Sequence, residues 1–344
     1  MKSFPDNFLL LLLTLAILPS PAFASNDIPL QQAQITSRPP TELWHVTLEM
    51  DLDTLFSQKR TNNYLPAKFS FKNENGEMVE WDIQVRCRGR FRRMKCEFPP
   101  LMLKFPKKQM KAAGFGKHND VKLVTHCATS KQAWENLFRE YLTYQLYAEL
   151  SPVNLETRLL RITYRDTGSG EEMVTYGIYI EDVDALAERF DAKKCKDCFG
   201  MGASSFDQQN LQTHDLFQYM IGNTDWSVAT MRNLKILAPK NEAAKYMVAP
   251  YDFDFSGLVN ADYARPNPDY QQMDIRERIY LGGNWPAGEW ASTLKLFQDK
   301  RSALMEIVDQ FEMLSRKARK DIRKFLDDFY DELDDGFVPK NQYF

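Results

Sequence analysis

From residue 43 to about residue 181, apolar side chains recur at every second position in a series of short segments, and beyond residue 182 they recur at helical spacing. No other feature limits the fold as strongly. The alternating segments are Leu43 to Asp51, Ala67 to Phe71, Val79 to Val85, Leu101 to Phe105, Val121 to Val124, Arg158 to Thr163 and Met173 to Ile180. Asn73-Glu-Asn-Gly76 marks a hairpin between the second and third of these. Thr129-Ser130 caps one long helix, Lys131 to Leu150, embedded among them. Helices follow at Asp182 to Phe190 and Leu211 to Ile221, then two short strands, Leu234 to Leu237 and Tyr246 to Ala249, and near-continuous helix from Glu289 to Asp335. The expectation is an α+β chain: a mostly antiparallel, sheet-rich unit over 43–181 and a mostly helical one over 182–344. There is no internal repeat and no low-complexity stretch.

The first 42 residues carry a different signal. Lys2 precedes an apolar run from Phe8 to Leu18, then Pro19, Pro21 and Ala22-Phe23-Ala24 before Ser25. This is the pattern of a secretory signal peptide over 1–24, followed by an extended leader over 25–42, with an uncleaved anchor as the alternative. The run is too short to span a bilayer comfortably. The mature chain is therefore expected to be exported, periplasmic or secreted, with no transmembrane segment after cleavage. Its five cysteines allow at most two intrachain bridges. Cys195 and Cys198 have the spacing of half a zinc site, but a matching second pair is missing and a local bridge is the better reading. Cys87 and Cys96 flank a run of arginines and are placed to clip it, leaving Cys127 free unless the pairs reshuffle.

At 344 residues and 44% hydrophobic, the chain has ample material for a core, which excludes a disordered tail, a collagen-like fibre or a disulfide-only miniprotein. Net charge is only −3, so a generally basic nucleic-acid binder is excluded. Charge is uneven, however. Between Arg86 and Lys122 there are twelve Lys or Arg and two Asp or Glu, and Asp321 to Asp335 holds seven acidic residues against two basic ones. Solvated faces explain such runs. Arg86, Arg88 and Arg90 also alternate as a strand would, which suits an anion-handling face or a binder of acidic polymers. Nucleic acid is not expected there, because only Phe91 and Phe98 are interleaved.

The segment with most chemistry runs from Asp215 through Asn223-Thr-Asp225-Trp-Ser and Arg232-Asn233 to Pro250-Tyr-Asp252-Phe-Asp254. A helix delivers an Asp into a loop, an Asn opens the next strand, and a second strand ends on two Asp residues. That order suits phosphoryl transfer: one carboxylate accepts the proton of an attacking hydroxyl while an Asn oxygen and another carboxylate hold a divalent metal against phosphates. Asp and Asn also cap helices and build loops, so spacing alone leaves a structural reading open. His214 beside Asp215 is expected to be structural, since neighbours on a helix do not face each other. Gly114-Phe-Gly116-Lys117 reads as a turn, and no G-x-S-x-G, H-E-x-x-H or catalytic Cys-His signature is present.

These motifs resemble the catalytic and metal loops of the CotH-type atypical kinases, first known from spore-coat proteins. Val85-Arg-Cys-Arg88-Gly89 with Leu101-Met-Leu-Lys104-Phe105, then Leu137-Phe-Arg139-Glu140-Tyr-Leu, then Tyr176-Gly177-Ile-Tyr-Ile-Glu181 resemble further blocks of that family in the same order, across residues 80 to 260. The resemblance implies a two-lobed protein-kinase-like fold binding ATP and Mg²⁺ or Mn²⁺ between lobes. It implies transfer of the γ-phosphoryl group to Ser or Thr of a protein partner. It makes Asp225 the catalytic residue, Asn233, Asp252 and Asp254 the metal ligands, Lys104 the phosphate-contacting lysine with Glu140 as its partner, and Glu181 a hinge residue near adenine. The alternative is a catalytically inactive, kinase-like binding or assembly module of the cell envelope, favoured by the export signal and by the lack of a glycine-rich phosphate loop.

Overall fold

A computed structural model describes residues 43–73, 75–112, 117–337 and 339–341. The signal peptide, the leader and Gly114-Phe-Gly116 lie outside the described residues. Seven strands, β1 (Trp44–Met50), β2 (Leu65–Lys72), β3 (Met78–Cys87), β4 (Leu101–Lys104), β5 (Asp120–Thr125), β6 (Thr157–Asp166) and β7 (Glu172–Ile180), form one sheet in the order β1-β2-β3-β4-β5-β7-β6. Every neighbouring pair is antiparallel except the last: β1 also runs parallel to β6, Trp44 opposite Leu160 and Met50 opposite Asp166, and this closes the sheet into a barrel. Short helices α1 (Leu52–Ser57), α2 (Phe91–Lys95) and α3 (Lys107–Ala112) decorate its connections.

The closed barrel overturns the expected two-lobed protein-kinase-like fold. Strand alternation was legible because it fixes which side chains face inward, but it does not say whether the two ends of a sheet meet. Here β1 pairs on both edges, so the seven-stranded sheet has no free edge among the described residues.

Inward-facing Val46, Leu48, Phe69, Ile83, Val85, Leu103, Val121 and Leu123 fill the barrel. Aromatic rings Trp44, Phe69, Phe71, Trp81 and Phe105 meet there edge to face at centroid separations of 5.0 to 5.9 Å. At Gly177 on β7, a Cβ would fall 2.8 Å from Ile162 Cδ1, 2.9 Å from Leu123 Cδ1 and 3.0 Å from the Val124 carbonyl oxygen, so the interior admits only glycine without repacking.

The outer face of β5 and β7 belongs to a second core. Helix α4 (Lys131–Leu150) covers it, started by Ser130, whose side chain accepts from the Ala133 N–H. Val124, Ile178 and Ile180 pack there with Tyr141, Tyr144 and Tyr147. That core continues into α5 (Val183–Arg189), α6 (Gln208–Met220), α7 (Ala291–Gln310) and the amphipathic α8 (Arg316–Asp334). A three-stranded sheet of β8 (Ala192–Lys194), β9 (Leu234–Pro239) and β10 (Met247–Pro250) lies beyond α5.

Two disulfides are present, Cys96–Cys127 and Cys195–Cys198, while Cys87 is buried and free. The Cys195–Cys198 bridge leaves no thiolate pair for zinc. Cys87 cannot clip to Cys96 because its side chain points into the barrel core beside Leu55. Among the described residues no helix is long and apolar enough to cross a membrane.

Replacing Gly177 with Val should lower unfolding free energy by about 1–3 kcal/mol through overpacking. Gly76, in the β2–β3 turn at φ +79° with open space around its Cα, should lose less when changed to Asn, a residue that tolerates this region. Equal losses in denaturant titrations would contradict the barrel packing.

Candidate functional site

The chain after α6 turns sharply at Gly222 (φ +62°), and an isolated bridge between Asn223 and Ser256 pins the turn. The Asn223 side chain accepts from the Asp225 N–H at 2.9 Å, and the Trp226 indole donates to the Asn223 carbonyl at 3.1 Å. A tight hairpin closed by Ser227 and Arg232 then returns the chain to Asn233, which adopts φ +54°. From there the Asn233 amide donates to the Asp225 carbonyl (2.7 Å) and carboxylate (2.8 Å). Arg232 Nε stands 3.5 Å from the other Asp225 oxygen. Burial pushes the Asp225 carboxyl up, Arg232 opposes this, and Asp252 adds to it.

Asp252 follows β10, whose Pro250 pairs with Leu234 beside Asn233. It too adopts a left-handed backbone, φ +67°, and its N–H donates to the Tyr144 hydroxyl at 2.9 Å. With Met231 (φ +53°), three non-glycine residues of this segment lie in the left-handed region, which marks strain held by the surrounding hydrogen bonds. The Asp252 charge is felt by Asp225, Asp254, Glu140, Arg88 and Arg92, which places it at the centre of the cluster.

Behind Asp252 lies a buried ionic network. Arg92, on α2, donates to Glu140 Oε2 (3.1 Å) and to the Thr125 carbonyl (3.1 Å), and stands 3.8 Å from Asp254 Oδ2. The Tyr263 hydroxyl donates to the same Asp254 oxygen at 3.0 Å. Burial pushes both carboxyls, Glu140 and Asp254, upward; Asp252 pushes the same way and Arg92 pulls against it. Burial also works against the Arg92 charge, but Tyr263, Glu140, Asp254 and Asp252 together hold the guanidinium protonated. Glu140 Oε1 makes no hydrogen bond among the described residues.

A basic group adjoins this network through Arg88, whose charge Asp252 supports and which in turn acts on Lys122. Lys122 projects from β5 on the side opposite Val121 and Leu123, so it leaves the barrel toward the helical half. Its Nζ is buried without a hydrogen-bond partner among the described residues, 5.3 Å over the Tyr251 ring. Lys235 reaches the same ring from β9 and donates to the Tyr251 hydroxyl at 3.0 Å. Burial pushes the Lys122 amine down to about 7, with Arg88 and Lys235 acting in the same direction and Asp182 against them. A buried, like-charged group of this kind costs free energy unless an anion offsets it.

Of the residues named from sequence, Asp225, Asn233, Asp252, Asp254 and Glu140 converge here. Lys104 does not: it is exposed on the barrel's outer surface, 5.4 Å over the Tyr64 ring, beside Arg86. Glu140 pairs with Arg92 rather than with Lys104. Glu181 is buried at the end of β7 and pairs with Arg189 at 2.8 Å, its carboxyl raised by burial to about 7. Arg86, Arg88 and Arg90 share no anion-binding face, since Arg86 stacks on Tyr64, Arg88 turns to Asp252 and Arg90 stays exposed.

Sequence reasoning missed Arg92, Lys122, Lys235, Tyr144 and Tyr263. Only Lys122 left a signal, as a cation between two inward-facing strand residues. His214 is structural, as expected, although it does meet its neighbour. His214 Nδ1 lies 2.9 Å from Asp215 Oδ1, both buried, and Asp215 Oδ2 accepts from the Gly283 N–H. The pair holds a loop in the core, out of reach of solvent.

Among the described residues, the group of three His or carboxylate side chains with ligand atoms within 4.8 Å of one another is His118, Asp182 and Asp184. Asp182 already caps α5, and His118 faces Glu188 at 3.1 Å.

Arg92→Met should destabilise the protein by about 3–5 kcal/mol near neutral pH, because Glu140 and Asp254 lose their buried counter-charge. Both carboxyls already sit above their ordinary values, so protonation neutralises them as pH falls and the loss should shrink toward pH 5 in denaturant titrations. A pH-independent loss would argue against the ionic network.

No family model and no curated protein matches this chain.

Proposed function

We propose that this chain is an exported, CotH-type phosphotransferase that binds ATP with Mg²⁺ or Mn²⁺ and passes the γ-phosphoryl group to Ser or Thr of a protein partner. The reading rests on the site and not on the architecture. The observation that carries it is the approach of two charge groups through Arg88: Asp225 and Asp252 on one side, and on the other Lys235 and Lys122, whose buried Nζ makes no hydrogen bond among the described residues. A polyphosphate with its metal is a ligand class that needs both groups at once.

The donor set fits a divalent metal. Mg²⁺ needs only one or two protein carboxylates when phosphate oxygens supply further ligands, so a preassembled three-carboxylate cage is not required. Asp252 is the principal candidate, with Asn233, whose amide nitrogen is committed to Asp225 and whose oxygen remains for coordination. Asp254 accepts from Tyr263 and stands near Arg92, which suits a supporting role behind Asp252. When bound, the metal neutralises charge on the transferring phosphoryl group. Asp225 is half-exposed and its carboxyl is raised, so it can accept a hydroxyl proton from an incoming Ser or Thr. Asn233 and Arg232 fix its orientation. Lys122 and Arg88 hold phosphate oxygens; being buried, they do so in a low dielectric where each contact is strong.

A second reading is supported by the same basic group. An envelope module that binds an anion without transferring it would need Lys122, Arg88 and Lys235 but not Asp225.

Titrating the protein, disulfides intact, with ATP plus Mg²⁺ or Mn²⁺ should raise its thermal midpoint in a saturable, metal-dependent way. At about a hundred times the dissociation constant the gain is roughly 2.7 kcal/mol. Asp252→Ala should abolish the metal dependence. Asp225→Asn should keep binding and lose transfer to a protein acceptor. A metal-independent shift untouched by Asp252→Ala would leave the anion-binding module, and no shift would overturn both readings.

Binding should also depend on pH. Burial holds the Lys122 amine at about 7, so above that pH this one amine is largely neutral in the free protein, whereas phosphate favours its ammonium form. ATP affinity should therefore fall by up to about tenfold per pH unit between roughly pH 7 and 9. Lys122→Met should bind more weakly and lose that slope in calorimetric titrations.

A further inference from the structure

The structure assigns a second role to the rim formed by α2 and the loop after α1: we propose that it docks an acidic segment of a protein partner, anchored by an apolar residue. The inference rests on the phosphotransfer reading, in which that segment carries the acceptor hydroxyl. Phe91 and Met94 on α2 are 47% and 42% exposed, unusual for large apolar side chains standing side by side on a short helix. Next to them in sequence lie Arg90, which precedes α2, and Arg93 and Lys95 on it, and the loop after α1 that carries Lys59 and Arg60 is tied to α2. Arg93 joins the two pieces of chain, donating to the Thr61 carbonyl at 3.4 Å and to Asn62 Oδ1 at 3.1 Å. None of these five cations forms an ion pair among the described residues, although lysines and arginines elsewhere on the surface commonly do. Unpaired cations around exposed apolar side chains are complementary to acidic residues flanking an apolar one.

Two observations connect this rim to the proposed chemistry. The Phe91 ring lies 5.8 Å from Phe255 and 6.4 Å from Tyr263, and the Tyr263 hydroxyl donates to Asp254. The rim and the carboxylate bank are thus joined through a single layer of aromatic rings. In addition, α2 is held on both sides, by the Cys96–Cys127 bridge at its C-terminal end and by buried Arg92 at its centre. A surface fixed in advance loses little freedom on binding.

A bilayer fits less well. A five-residue helix with two exposed apolar side chains, tied down by a disulfide, cannot lay an extended amphipathic face into a membrane. Single-stranded nucleic acid would call for a row of exposed rings, whereas α2 offers only Phe91.

The test uses the mature protein without nucleotide and three probes: a short fluorescent peptide with Glu residues flanking one Ser and one Leu, the same peptide with Lys in place of Glu, and phosphatidylglycerol vesicles. The acidic peptide should bind in fluorescence anisotropy and weaken with added salt, while the Lys peptide should not bind. Arg90→Glu combined with Lys95→Glu should weaken acidic-peptide binding by about tenfold or more. Met94→Asp should do the same, and both variants should keep the parent thermal midpoint. Undiminished binding by the variants, equal binding of the two peptides, or binding of vesicles in place of the acidic peptide would overturn the proposal. ATP with Mg²⁺ is titrated against the unaltered protein in parallel. Peptide binding by a protein that binds no ATP would sustain the docking surface and sink the phosphotransfer reading, and ATP binding without peptide binding would do the reverse.

Discussion

The guanidinium of Arg92 is a point where three separate parts of the chain meet. From a short helix on the barrel rim it reaches the Thr125 carbonyl at the end of β5, Glu140 in the middle of α4 and the vicinity of Asp254 in the loop after β10. Each contact is buried, so each is strong, and each partner would be costly without the others. Barrel, long helix and acidic loop are thereby fixed relative to one another around a group that is itself polar. Asp252, one step from this network, inherits its position. The strained left-handed backbone at Asn233 and Asp252 persists because hydrogen bonds to Asp225, Tyr251 and Tyr144 fix it from several directions.

Closure of the barrel decides where a site can lie. The interior is packed by interlocked rings and aliphatic chains around one small apolar cavity lined by Trp44, Trp81, Phe105 and Tyr179, with no room for a methyl group at Gly177. Polar chemistry is therefore confined to the outer wall, where β5 and the turn after β3 meet the hairpin of β9 and β10. Lys122 and Arg88 come from the wall, and Asp225, Asp252 and Lys235 come from the hairpin side. Two of the three cations thus come from a different core than the carboxylates, with Lys235 alone sharing their hairpin, and the field between them is set by packing rather than by any one loop.

Much of the local structure was legible. The helix from Lys131 to Leu150 starts and stops where its cap and periodicity place it, and Asn73 to Gly76 turns between β2 and β3 as its residues require. What alternation could not convey was partnership. The pairing of β1 with β6 links residues more than a hundred positions apart, and nothing in either strand names the other. The same limit applies to the cations. Lys104 and Lys122 both alternate with barrel-facing residues, and only the helical half decides which of them is buried. Arg92 sits in a run of basic residues, and its burial follows from the approach of Glu140 and Asp254, which no spacing encodes. The hairpin from Asp225 to Asp254 was legible because its residues lie close together in the chain.

The parallel pairing of β1 with β6 also governs the order of events as the chain matures. Strands β1 to β4 can pair as they emerge, since each neighbour follows directly in sequence. Nothing can occupy the second edge of β1 until α4 and β6 are available. Through that interval the nascent sheet carries an open edge with alternating apolar residues, the kind of surface that recruits other strands. Final closure is a long-range step, slow by its topology, and because β7 must sit between β5 and β6 it completes the aromatic interior only after the chain has passed residue 180. A protein built in this way spends the vulnerable part of its folding waiting for its own middle third, and its aggregation should be governed by how soon that segment arrives.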